Sequence, residues 1–166
     1  MDSFVNEFWA GWPDAAEIGR VLFRLLAAMV LGGAIGLQRE HAGKPAGLRT
    51  HMLVSMGACL FVLACITHDF DNADLSRVIQ GLATGIGFIG GGAILKLAAD
   101  HEIKGLTTAA GIWTTAAIGV AVALGHWGLA AIAVAMTLFT LAVLARFELR
   151  SKNGQREPFS AHEMSH

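Results

Sequence analysis

Carboxylates that could ligate a cation are the first chemistry to look for in this sequence, and three candidates stand in two charged stretches. Glu40 lies in Gln38 to Arg49; Asp100 and Glu102 lie between Lys96 and Lys104. Mg2+ keeps much of its water and takes one or two carboxylates, so a pair of such loops is a weak Mg2+ candidate. Arg39, Lys44 and Lys104 stand beside these acids and would repel a divalent ion, so no metal site is assigned and no cofactor is expected beyond Mg2+ itself. Gly85-x-Gly87-x-x-Gly90 has the letters of a dinucleotide fingerprint, but that motif works only between a strand and a soluble helix. No phosphate-binding P-loop occurs, and no serine, histidine, cysteine or aspartate set converges by spacing, so the chain does not read as an enzyme. Cys59 and Cys65 lie on different faces of a helix and read as buried, inert thiols. His162 and His166 beside Glu163 form no convincing metal site.

The elements that must carry these residues are set by composition. Of 166 residues, 54% are apolar and 15% charged, and the mean hydropathy is +0.55. That is too apolar for an ordinary soluble domain of this size. Apolar runs recur at Val21 to Leu37, Met52 to Thr67, Val78 to Leu95, Leu106 to Leu124 and Leu129 to Ala145. Each approaches the roughly 20 residues that cross hydrocarbon. The fold expected is all-α, a polytopic membrane protein with five transmembrane helices. Residues 1–19 read as an N-terminal segment, 20–148 as the membrane domain and 149–166 as a tail without apolar period, disordered in expectation.

Charge orients the bundle. Arg39, Lys44 and Arg49 follow the first run, Lys96 and Lys104 the third, and Arg146, Arg150, Lys152 and Arg156 the fifth, which places these segments in the cytoplasm. The acidic N-terminus then faces the periplasm, and its acidity argues against a cleaved signal peptide. Gly33-Ala34-Ile35 followed by Gly47-Leu48-Arg49-Thr50 recurs as Gly92-Ala93-Ile94 followed by Gly105-Leu106-Thr107-Thr108. Helices one and two and helices three and four thus read as two parallel copies of one hairpin, with helix five outside the repeat. Thr50 and Thr108 are candidate helix caps.

Helix three carries Gly81, Gly85, Gly87, Gly90, Gly91 and Gly92. Two readings follow: a small-residue face for close packing of helices one and three, with Gly32 and Gly36 matching it, or an interruption at Gly90 to Gly92 that frees carbonyls to line a polar pathway. Arg24 is expected to extend toward the headgroups. Gln80 and Thr84, and Thr107, Thr108, Thr114 and Thr115, are expected to fasten helices together, and Trp113 to fill a gap in the bundle.

The strings Gly36-Leu37-Gln38-Arg39-Glu40, Ala46-Gly47-Leu48-Arg49-Thr50-His51-Met52-Leu53-Val54, Gly85-Ile86-Gly87-Phe88-Ile89-Gly90-Gly91-Gly92 and Gly105-Leu106-Thr107-Thr108-Ala109-Ala110-Gly111-Ile112-Trp113 resemble the MgtC/SapB family of bacterial inner-membrane proteins across about residues 20 to 145. The resemblance implies a multi-pass protein of the inner membrane linked to growth in low magnesium, and a regulator of membrane machinery such as the proton-driven ATP synthase. The sequence stops soon after helix five, without the soluble C-terminal domain of the virulence-type members. Gln38 stands where many relatives carry an acid. Two functions remain open. A non-enzymatic regulator would meet a membrane partner through its inner connectors, including Arg39 and Arg49. A small Mg2+ or other ion permease, working as a homo-oligomer, would use Gly87 and Gly90 to Gly92 with the threonines of helix four. No nucleic-acid partner is expected.

Overall fold

The computed structural model describes residues 14–67, 71–95 and 105–154, with side chains left undescribed at Leu95 and at 144–154. Five helices run in order: α1 Ala15–His41, α2 Leu48–Ile66, α3 Asn72–Leu95, α4 Leu106–Ala123 and α5 Trp127–Gly154. The chain is all-α, and each helix contains or closely tracks one of the five apolar runs. By length and apolarity α1, α2 and α4 are each sufficient to cross a bilayer, and α5 has an apolar stretch over Trp127–Val143. α5 continues through Gly154, beyond the expected start of the tail at 149.

Local chemistry fixes the ends. Asp14 Oδ1 accepts from the Glu17 amide at 2.6 Å and starts α1. Asp71 does the same for Asp74 at 2.8 Å ahead of α3. α1 closes on Gly43 at φ +63°, where the Gly43 amide reaches Glu40 O and the Lys44 amide reaches Arg39 O. α4 closes identically on Gly125 at φ +77°, with bonds to Val122 O and Ala121 O. A left-handed residue is needed at each of these positions, which glycine adopts without a Cβ penalty. Thr50 and Thr108 do not cap: Gly47 and Gly105 occupy the cap positions of α2 and α4, and neither start has a side-chain cap of its own. The Leu48 amide instead donates to Glu40 Oε2 at 2.9 Å, so a carboxylate from the end of α1 sits on the positive end of α2.

α4 is the hub. It packs on α1, α2, α3 and α5, and its small residues bring the backbones close. A Cβ on Gly119 would run into the Ser55 backbone of α2, and one on Gly111 would touch His51 Cε1 at 3.5 Å. On α1, a Cβ at Gly32 would lie 2.6 Å from His51 O, and one at Gly36 would lie 2.7 Å from Leu48 Cα. Gly32 and Gly36 therefore serve α2. The expected packing of helix one on helix three is not found, since α1 and α3 make no contact among the described residues. One apolar core joins Ala28, Ile35, Cys59, Val62, Ile118, Val122, Ala130 and Val134, and a smaller one under α3 joins Ala58, Ile86, Ile112 and Ala116. Both cysteines are free and buried.

α3 differs from the expectations in both respects. It is helical straight through Gly90 to Gly92, so its carbonyls there are not released by a break. Among the described residues, Gly81, Gly85, Gly87, Gly91 and Gly92 have no atom within 4 Å of a Cβ built on them, and of the α3 glycines Gly90 alone meets a neighbour, Ala109 of α4, at 3.4 Å. The close packing expected of this glycine face is thus confined to one residue. Beside it runs an apolar groove of about 590 Å3 lined by Phe61, Gly81, Gly85, Phe88 and Ile89.

Candidate functional site

Within the seam between α1, α2 and α4 lie five buried polar side chains: Arg39, His51, Ser55, Thr108 and Thr115. The helix period puts them there. Gly32, Gly36 and Arg39 follow at intervals of four and three on α1, His51 and Ser55 are one turn apart on α2, and Thr108 and Thr115 are two turns apart on α4. Because Gly32 and Gly36 carry no Cβ, the α2 backbone approaches α1 closely there, and His51 is fully buried.

Two polar rungs cross the seam, about 10 Å apart along α4. In the first, Arg39 Nη2 donates to Thr108 Oγ1 at 2.7 Å. In the second, His51 Nδ1 and Thr115 Oγ1 are 2.8 Å apart, while Thr115 Oγ1 donates to Gly111 O, also at 2.8 Å. A hydroxyl has one proton to give. With that proton on the Gly111 carbonyl, Thr115 accepts from His51, and the imidazole carries its hydrogen on Nδ1. Among the described residues several buried polar atoms have no hydrogen-bond partner: Arg39 Nε, His51 Nε2, Ser55 Oγ and Gln38 Oε1. Among the described residues no carboxylate lies within ion-pairing distance of Arg39.

The remaining candidates from the sequence distribute unevenly. Arg39, expected on the inner connector as a contact for a membrane partner, is 4% exposed and faces the seam, because the last turn of α1 docks before the chain turns. Thr108 joins it, and Thr115 does fasten two helices as expected. Thr84 and Thr114 do not: their hydroxyls return to Gln80 O and Ala110 O of their own helices. Gln80, Thr84 and Gly87 lie on exposed faces of α3, Arg49 and Thr107 are exposed, and Thr50 is half-buried. Trp113 is 52% exposed and lines a shallow groove with Ile79, Leu82 and Ile86, so it covers α3 from outside rather than filling the bundle. Arg24 also turns inward. Its Nη1 donates to Ala123 O at 2.7 Å at the end of α4, where a cation meets the negative helix terminus. Glu40 is exposed and engaged by the Leu48 amide, Asp100 and Glu102 lie outside the described residues, and among the described residues no group of three metal-ligating side chains forms. His51 and Ser55 were not among the sequence candidates; the signal available was a histidine and a serine one turn apart inside an apolar run.

Residues 25–150 match the profile of the MgtC family. The chain is 44% identical to Protein SrpB of Synechococcus elongatus, over 76% of this chain and 75% of that one. It is 42% identical to the Putative magnesium transporter YhiD of Escherichia coli K12, over 80% of this chain and 65% of that protein. It is 41% identical to Protein MgtC of Salmonella typhimurium, over 60% of this chain and 41% of that protein. No solved structure matches.

Proposed function

Because this chain belongs to the MgtC family, which its residues 25–150 match, we propose that it is a multi-pass inner-membrane protein that regulates membrane machinery in connection with Mg2+ homeostasis, without catalysing a reaction or carrying the ion itself. The link to magnesium is drawn from relatives such as the one named a putative magnesium transporter. The observation that carries the choice of regulator over permease is the charge at the heart of the bundle. It is the guanidinium of Arg39, and no carboxylate is buried among the described residues. A hydrated divalent cation passing between α1, α2 and α4 would meet a like charge in a medium that screens poorly. The continuous α3 supports the same reading, because carbonyls engaged within a helix are not free to replace water around Mg2+.

In this reading the five helices cross the bilayer as two parallel hairpins plus α5, with the α1–α2 connector and the C-terminus in the cytoplasm. The recurring Gly-Ala-Ile and Gly-Leu-x-Thr strings at the matching ends of the two hairpins favour the repeat. The exposed Arg49 and the face of the connector would meet a membrane-protein partner, for which the proton-driven ATP synthase is the candidate the family supplies. The test is reconstitution of the purified chain in liposomes holding a Mg2+ dye. The expected result is no flux above protein-free vesicles at any gradient, together with recovery of a membrane protein by a photocrosslinker placed at Arg49 in cells. Saturable Mg2+ flux that Gly90→Leu abolishes would overturn the proposal in favour of the permease.

A further inference from the structure

The hydrogen bonds around Thr115 favour one tautomer of His51, with the hydrogen on Nδ1. The Nδ1 hydrogen is committed to Thr115, whose own proton is committed to Gly111 O. Nε2 is then a lone pair, buried beside the Ala46 backbone and without a hydrogen-bond donor among the described residues. Of the five buried polar side chains in the seam, the imidazole is the one that can gain a charge by binding a proton. Its surroundings are lopsided. α1 presents Arg39 with an unpartnered Nε, and one residue on, Glu40, whose carboxylate is exposed and taken by the Leu48 amide. α2 itself adds Arg49, which is exposed, and α4 adds only the neutral hydroxyls of Thr108 and Thr115. Gly36, one turn before Arg39 on the same face, stands where a Cβ would come within 2.9 Å of His51 Cβ.

We propose that His51 Nε2 is a proton-binding site inside the bundle, and that its occupation loosens the seam that Arg39 and Thr108 hold shut. A hydronium ion gives its proton to Nε2 and leaves water, converting imidazole to imidazolium with no other bond changed. The seam then contains two cations, Arg39 and His51, with no buried carboxylate among the described residues to offset them. The backbone of Ala46, which lies against the ring, and Ser55 Oγ, unpartnered one turn away on the same face of α2, are the acceptors that a proton on Nε2 would seek. Closing either bond does not remove the repulsion from Arg39, which is relieved by movement of the end of α1 away from α2 and α4. The sign is fixed: the closed seam is the form stable at higher pH, and acid weakens it.

The test uses the full chain in lipid nanodiscs. Nitrogen NMR of labelled histidine on the unaltered protein, with His51 identified as the ring shielded from a soluble paramagnetic agent, should show hydrogen on Nδ1 and a bare Nε2 near pH 8. It should show both nitrogens protonated on acidification. Over the same interval the melting temperature should fall by about 3 °C or more. The fall should vanish in His51→Gln and shrink in Arg39→Gln. A neutral ring carrying its hydrogen on Nε2, a melting temperature independent of pH, or an undiminished fall in His51→Gln would each overturn the proposal. The NMR reading decides even where a variant fails to insert.

Discussion

The same substitution, glycine to alanine, should have opposite effects on α1 and α3. At Gly36 the added methyl would lie 2.7 Å from Leu48 Cα, 2.9 Å from Gly47 O and 2.9 Å from His51 Cβ, against ordinary contacts of 3.4–4 Å. Two of these neighbours are backbone, so no rotamer change relieves them, and α1 and α2 must separate by several tenths of an ångström. Overpacking of this kind costs about 1–3 kcal/mol, which for a chain of this length lowers the melting temperature by about 3–10 °C. At Gly85 the methyl would meet nothing within 4 Å. There the only change is the loss of glycine's backbone freedom within a helix, worth about 0.5–1 kcal/mol in favour of alanine and a rise of about 1–4 °C. Both variants can be followed side by side in detergent by thermal scanning with size-exclusion detection of the monodisperse peak. An unchanged melting temperature for Gly36→Ala would refute the close α1–α2 contact. A clear loss for Gly85→Ala would mean that the glycine face of α3 is occupied, a second copy of the chain being the occupant to look for first.

Two further outcomes follow from the polar contacts. Thr108→Val removes the acceptor of a buried guanidinium, and should destabilise the chain by about 1.5–3 kcal/mol, where Thr107→Val on the exposed neighbouring position should be close to neutral by the same melting assay. Arg24→Met keeps the apolar stem and deletes the donor to Ala123 O, so it should speed hydrogen exchange at the α4–α5 turn while leaving exchange around Arg39 unchanged.

Fold was legible because hydrophobic length is a coarse signal that lipid makes decisive. The run Leu106 to Leu124 became α4 with nearly the same bounds, and Met52 to Thr67 became α2 with a first turn added by Gly47 and Glu40. Partner choice was less legible. The pattern of Gly32 and Gly36 states that something approaches closely, yet the same four-residue spacing in α3 suggested the wrong neighbour, because small residues carry no identity of their own. Direction was harder still for Arg24 and Arg39, where the same long stem can reach headgroups or a helix end, and only the position of α4 settles which. The seam escaped notice since His51 has no ligand-like spacing to any other titratable group; its significance arises from Gly111 and Thr115, more than 50 residues away in sequence, being brought against it.

The bond from Arg24 to the Ala123 carbonyl spans 99 residues of chain. A ribosome adding about 5–20 residues per second needs roughly 5–20 s to make that interval, so the first helix enters the membrane long before its partner exists. During that time its guanidinium must be satisfied by headgroups, water or the insertion machinery, and Arg39 waits likewise for Thr108, 69 residues downstream. The nascent protein therefore passes through a stage in which its leading span is provisional, and its final depth is set when the fourth helix arrives to claim both arginines.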